Sequence, residues 1–256
     1  MHGITAKKKF GQHFLRDDNV VNRMVTHLGS SMSKSVLEIG CGDGFITRRI
    51  LETKAKYLQV YEIDSEWADF VAQRFEDDDR LTVNTENFLD IDFSELEAKA
   101  PWSVISNVPF NVSFPILYRL QENRHLFTNG VLILQEEVAQ KIVKQSGKGF
   151  GPASLFLQYY FDWELLDRVP SSAFKPEPKV SARLIAFVAR KQVKDIVEPE
   201  RFWKFLGFCF SRPRKTLKNN LASTHFKDMH IDPETLALRA QQMNIDQFLS
   251  LWELVR

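Results

Sequence analysis

Val36-Leu37-Glu38-Ile39-Gly40-Cys41-Gly42-Asp43-Gly44 reads as a short buried strand running into a glycine turn. A helix with Phe45, Ile46 and Ile50 on one face follows. Strand, glycine turn and helix make a nucleotide-binding opening, because glycines let a ligand approach the backbone closely. The dinucleotide fingerprint wants a third glycine where Phe45 stands, so Gly40-x-Gly42-x-Gly44 instead suits a cofactor without a pyrophosphate. Taken alone, the turn fits a plain tight turn equally well.

Working outward, Tyr57 to Tyr61 is a second strand that ends at Glu62. An acidic residue about 20 positions after the turn is where this architecture binds ribose hydroxyls. Trp67 to Phe75 is the crossover helix, and a third strand at Leu81-Thr82-Val83 leads to Asn87-Phe88-Leu89. Asn87 is either a turn residue or an amide facing an adenine edge. A fourth strand (Trp102, Val104, Ile105) leads into Ser106-Asn107-Val108-Pro109-Phe110-Asn111, and Ser113-Phe114-Pro115 starts a helix with proline at its first position. The Asn107 side chain and the Pro109 carbonyl both accept hydrogen bonds, and Phe110 offers a flat face. That set suits a planar base with an exocyclic amine; an Asx turn beside a core phenylalanine is the simpler reading. Four strands ending in Gly40, Glu62, Asn87 and Asn107 place polar groups on one edge of a parallel sheet, the doubly wound class. This half reads as a nucleoside-cofactor enzyme.

The 256 residues, 44% hydrophobic and 26% charged, are those of an ordinary globular protein with one large domain and a small appendage. A net charge of +1 leaves any positive face to local clustering. Cys41 and Cys209 are too few for a disulfide framework, which points to a reducing cytoplasm. No apolar run reaches membrane-spanning length, and no apolar signal core follows the charged residues Met1 to Lys9. Lys7-Lys8-Lys9 begins a basic arm that abuts Phe10-Gly11-Gln12-His13-Phe14-Leu15, a segment expected to fold back onto the protein. His13 has no second ligand at metal-binding spacing, so a hydrogen-bonding or packing role is expected. Val20, Val21, Met24, Val25 and Leu28 form a helix capped by Asp17 or Asp18.

In the second half, Val131 to Gln135 is a fifth buried strand. Ser146 to Pro152 is a loop that lacks the ending of a phosphate-binding loop. After a helix (Leu155, Phe156, Tyr159), a run to Val169 and a return over Ala182 to Val188 fit a hairpin at the end of the sheet. Its connection, Pro170 to Lys179, carries Phe174 between prolines and the basic Lys175 and Lys179, a combination suited to stacking a base. From about Val193 the pattern is helical, with Phe202, Phe205, Leu206 and Phe208 as one apolar surface and Phe248, Leu249 and Trp252 as another. Arg212, Arg214, Lys215 and Lys218 lie between them.

Phe10 to Leu15, Glu38-Ile39-Gly40, Glu62-Ile63-Asp64, Asn107 to Ser113 and Ser172 to Val180, standing in this order, resemble the rRNA adenine dimethyltransferases over nearly the whole chain. Phe210 to Leu221, with its basic residues, is similar to the branch that modifies small-subunit rRNA during ribosome assembly; the antibiotic-resistance branch acting on the large subunit does not usually carry it. The resemblance implies a Rossmann-like class I methyltransferase: a mostly parallel seven-stranded sheet with helices on both faces over residues 1–192, and a small helical rRNA-binding domain over 193–256. It implies S-adenosyl-L-methionine as methyl donor, with His13, Leu15, Gly40, Gly42, Glu62, Asn87 and Asn107 around it. His13, Asn87 and Phe110 stand where the family usually has asparagine, aspartate and tyrosine. Asn107 and the Pro109 carbonyl would take the target amine, with Phe110 and Phe174 sandwiching the extruded adenine. Lys7, Lys8, Lys9, Lys175, Lys179, Arg212, Arg214, Lys215 and Lys218 would contact RNA. No metal, no covalent intermediate, no membrane and a monomer are expected, with small-subunit rRNA in the immature small subunit as partner. A non-catalytic assembly or transcription factor of the same fold, a large-subunit methyltransferase and a small-molecule N-methyltransferase are the alternatives.

Overall fold

The computed structural model describes residue 7 and residues 10–226 and 230–256. The chain runs through β1 (Phe14–Leu15), α1 (Asp18–Leu28), β2 (Ser35–Ile39), α2 (Phe45–Leu51), β3 (Tyr57–Tyr61), α3 (Ser65–Arg74) and β4 (Leu81–Asn84). It continues through β5 (Trp102–Asn107), α4 (Ser113–Glu122), β6 (Phe127–Gln135), α5 (Glu136–Ile142), α6 (Pro152–Tyr160), β7 (Phe161–Val169), β8 (Phe174–Lys175) and β9 (Ala182–Ala189). The helices α7 (Pro199–Cys209), α8 (Leu217–Leu221), α9 (Pro233–Ala237) and α10 (Ile245–Val255) close it.

Seven strands form one sheet in the order β4-β3-β2-β5-β6-β9-β7. The first five are mutually parallel, and β9 is antiparallel to both β6 and β7. From β2 the chain builds outward through β3 and β4, then returns to lay β5 on the other side of β2. That reversal is a switch point, where a crevice opens beyond the carboxyl ends of the strands. All five residues of β2 are buried, as a strand covered on both faces requires.

Local chemistry sets the element ends. Asp17 caps α1 by accepting from the Asn19 N–H at 2.9 Å, and Val20, Val21, Met24 and Leu28 are its buried face, as their spacing predicts. α4 begins at Ser113, which puts Pro115 in the third helical position rather than the first. The missing N–H is harmless there too, since first-turn N–H groups have no partner within the helix.

The chain divides into two compact units, one containing the residues up to Gln140 and Phe161–Ala189, the other Lys141–Tyr160 and Arg190–Arg256. The expected boundary near residue 192 therefore misses an excursion: α6 belongs with the C-terminal helices. Gln158 Nε2 donates to the Ile142 carbonyl at 2.6 Å, the Tyr159 hydroxyl donates to the Lys194 carbonyl at 2.5 Å, and Phe150, Leu155 and Tyr159 enter the second unit's core. The two apolar surfaces of that unit are one core, with Trp252 at 5.6 Å from Phe205 and 6.0 Å from Phe202 between ring centroids. Phe208 is outside it, 39% exposed. At about 100° per residue it lies about 120° around α7 from Phe202.

Within the first unit, Gly130 of β6 faces Val104 of β5 and Phe187 of β9. A Cβ there would stand 2.5 Å from the Phe187 ring and 2.7 Å from the Val104 carbonyl oxygen. Neither the ring, packed against Phe161 and Trp163, nor the backbone has space to retreat. Gly130→Ala is expected to destabilise the fold by about 1–3 kcal/mol, measured as a lower urea midpoint at unchanged slope.

Candidate active site

A cavity of about 340 Å³ lies beyond the carboxyl ends of β2, β3, β4 and β5. Its walls come from residues 10–15, 39–43, 45–46, 61–63, 86–89, 107–112 and 116, so Gly40, Glu62, Asn87 and Asn107 meet as their strand-end positions require. His13, Leu15 and Gly42 line it as well. Among the described residues its lining includes the carboxylates of Asp43, Glu62 and Glu86 and no lysine or arginine. Such a wall repels phosphates and favours a cationic ligand.

Glu62 follows β3 and is 5% exposed. Its Oε2 accepts from the Gly42 N–H at 3.0 Å and the Cys41 thiol at 3.9 Å, and its Oε1 from the Asp64 N–H at 3.0 Å, so Oε1 keeps acceptor capacity for a hydroxyl. Burial raises its pKa. Gly42 has φ +52, and a Cβ on it would stand 2.7 Å from the Phe14 ring. The glycine turn is thus pressed between a carboxylate and the N-terminal wall.

At the tip of β5, the Asn107 Nδ2 donates to the His13 carbonyl at 2.7 Å. A carbonyl only accepts, so this contact fixes which end of the amide is nitrogen. Asn107 Oδ1 is buried without a partner. A buried acceptor left unpaired costs about 1–3 kcal/mol, and one that lines a cavity marks where a donor belongs. The Pro109 carbonyl accepts from the Val112 N–H at 3.1 Å and lies 3.4 Å from the Ser113 hydroxyl, which also reaches the Phe110 carbonyl at 3.3 Å. The Phe110 ring stands beside them, tilted 31° to the His13 ring at 5.6 Å. His13 Nδ1 donates to the Pro176 carbonyl at 2.7 Å, the hydrogen-bonding role expected of it, and no metal-ligating cluster occurs among the described residues.

Three expectations change. Phe174 does not face Phe110 across a base-sized gap: it is 2% exposed, and the rings meet edge-on at 6.3 Å and 69°. The cause is a pairing that periodicity does not reveal, β1 with β8, in which Leu15 opposes Phe174 and Phe14 opposes Lys175. Asn87 is tied into a turn, its Oδ1 accepting from the Leu89 N–H at 3.2 Å and its Nδ2 donating to Asp90 at 2.7 Å, so it meets the cavity with its donors and acceptors partly spent. Lys7 is not a free cation, since its ammonium pairs with Asp64 at 2.7 Å and Glu66 at 3.2 Å. Lys8 and Lys9 lie outside the described residues. Lys175, Lys179, Arg212, Arg214, Lys215 and Lys218 are all exposed.

The strand order, the switch-point cavity and the polar groups at four strand ends define a Rossmann-like class I methyltransferase. A dimethyladenosine transferase from Plasmodium falciparum has the same fold, with a TM-score of 0.79 and 21% identity over 93% of this chain and 96% of that one. The 23S rRNA methyltransferase ErmE shares it at 0.71 and 20% identity over 94% and 99%. The chain belongs to the ribosomal RNA adenine dimethylase family, whose model matches residues 3–255. A ribosomal RNA small subunit methyltransferase A from Chlorobium luteolum is 36% identical, covering 99% of this chain and 91% of its own length. One from Syntrophotalea carbinolica is 34% identical over 98% and 97%.

Behind the site, Glu38 of β2 is fully buried, and its Oε2 accepts from the Thr47 hydroxyl at 2.7 Å while Oε1 has no partner. Burial pushes its pKa up to about 8 from 4.5. Between those values the folded chain binds a proton that the unfolded chain lacks, so Glu38 costs stability progressively as pH rises from 4.5 to about 8. Glu38→Gln is expected to match the parent near pH 4.5 and to exceed it by up to a few kcal/mol at pH 8, read as diverging Tm values across the range.

Proposed function

We propose that this chain transfers methyl groups from S-adenosylmethionine to the exocyclic amines of two adjacent adenosines near the 3' end of small-subunit rRNA, giving dimethyladenosines during ribosome assembly. The observation that carries the reading is the unpaired Asn107 Oδ1, a buried acceptor on a residue lining a cavity whose charged lining, among the described residues, is acidic. Family membership supplies the class of reaction.

The residues fit the donor. Glu62 would accept from its ribose hydroxyls, the turn at Gly40 and Gly42 would let its amino-acid end lie against backbone, and the acidic lining matches its positive charges. When bound, S-adenosylmethionine supplies a methyl group already activated on a sulfonium. The protein's remaining task is to prepare a poor nucleophile, since the adenine amine delocalises its lone pair into the ring. Asn107 Oδ1 and the Pro109 carbonyl would each accept one N–H of that amine, the Ser113 hydroxyl turning to its other acceptor, the Phe110 carbonyl at 3.3 Å. Held from two directions, the nitrogen is drawn out of the ring plane and its lone pair is aimed rather than conjugated. Phe110 supplies the stacking face that offsets the cost of extruding the base, a few kcal/mol. Phe174 stands behind it and fixes its angle.

Lys175, Lys179, Arg212, Arg214, Lys215 and Lys218 supply exposed positive charge for rRNA in the immature small subunit. The basic run from Arg212 favours the small-subunit substrate over the large-subunit and small-molecule alternatives. A non-catalytic role leaves the orphaned acceptor of Asn107 without a use. Monomeric action in the cytoplasm completes the reading.

Asn107→Ala is expected to lower methyl transfer on the order of a hundredfold or more with folding intact, because amine positioning is lost. The measurement is labelled methyl transfer from S-adenosylmethionine to immature small subunits, with mapping of the modified base; full activity overturns the assignment. Replacing Arg214 and Lys215 together by Gln is expected to flatten the log–log dependence of rRNA binding on salt by roughly two. An unchanged slope removes that segment from the interface.

A further inference from the structure

The segment from Phe10 to Leu15 forms one wall of the donor cavity. One end is fastened by the β1–β8 pairing and by the His13 carbonyl on Asn107. The other end meets Asp64. This carboxylate is 2% exposed and sits at the N-cap of α3. Its Oδ1 accepts from Lys7 Nζ at 2.7 Å and from the Glu66 N–H at 3.3 Å, and its Oδ2 accepts from Gln12 Nε2 at 3.2 Å. Lys7 and Gln12 are joined in turn, the Lys7 N–H donating to Gln12 Oε1 at 2.8 Å. The Asp64 backbone N–H donates to Glu62 Oε1.

A helix cap needs one of these bonds. The other aspartate caps serve only their own first turn, Asp17 accepting from the Asn19 N–H, Asp92 from Ser94 and Asp232 from the Glu234 and Thr235 N–H groups, and among the described residues none draws in a distant cation. At Asp64 a lysine 57 residues away and a glutamine 52 residues away converge on a nearly inaccessible carboxylate. The residue touches two walls of the cavity at once, the N-terminal segment through its side chain and Glu62 through its backbone.

We propose that Asp64 is a positioning residue for the methyl donor: its carboxylate latches the Phe10–Leu15 wall through Lys7 and Gln12, and its N–H sets the Glu62 carboxylate. The proposal rests on the donor site assigned above. It also gives Lys7 a use within the site rather than on RNA.

Asp64→Asn keeps a capping oxygen but removes the charge and turns an amide N–H₂ towards the Gln12 amide. Lys7→Met removes the cation alone, at a position outside every helix and strand. Each variant is expected to weaken S-adenosylmethionine binding by about tenfold, the scale of one charge-assisted hydrogen bond, and the double variant is expected to lose no more than the worse single one. Binding is read by calorimetry, and hydrogen exchange at residues 10–15 is read on the donor-free proteins, where both variants should exchange faster while Tm stays near the parent's. Donor affinity within twofold of the parent in both variants, additive losses in the double variant, or unchanged exchange overturns the latch. A parent chain that retains no donor overturns the donor site and the latch together. Donor retention without methylation of rRNA overturns the adenosine assignment alone.

Discussion

One hydrogen bond organises the site: Asn107 Nδ2 to the His13 carbonyl. It ties the tip of β5 to a segment from the far N-terminal end of the chain. It also decides the orientation of an amide that either way up would pack equally well. With the nitrogen spent on His13, the oxygen is left buried and unpaired on a residue that lines the cavity. Such a group costs stability, and under the proposed function the target amine would supply the missing donor.

The electrostatics of the cavity point the same way. Glu38 and Glu62 lie close to the glycine turn, both buried and both raised in pKa by that burial. Each interacts unfavourably with a neighbouring carboxylate as well. A cationic ligand relieves the charge crowding that folding creates, whereas an anionic one compounds it. The turn that in dinucleotide-binding proteins cradles a pyrophosphate is here set among carboxylates, and the absence of a third glycine at Phe45 is consistent with that change of ligand.

The second unit is built on another principle. Its core is aromatic, with Phe202, Phe205, Phe248 and Trp252 buried together, and its basic residues from Arg212 to Lys218 occupy the turn and short helix after α7. Asn220 holds that turn: its Nδ2 donates to the Cys209 carbonyl at 2.7 Å, and its Oδ1 accepts from the Arg212 N–H at 3.2 Å. The positive charge is therefore displayed from an ordered backbone rather than from a loose tail.

The sequence by itself determined the seven strands of the large sheet and the four strand-end residues that meet at the cavity. Period-two and buried apolar runs, a glycine turn and a carboxylate at fixed spacing are local signals, and the parallel sheet converts them into position. It did not show that Phe14-Leu15 pairs with Phe174-Lys175, that Phe174 is buried by that pairing, that Lys7 is held by Asp64, or that α6 belongs with the C-terminal helices. Those facts depend on contacts between residues far apart in the chain, where composition and period carry no register. Two-residue strands leave no alternation to read, and a lysine in a basic run looks the same whether it faces solvent or a buried carboxylate. Tertiary packing decided between those states, because only the folded chain brings the partner groups within hydrogen-bonding distance.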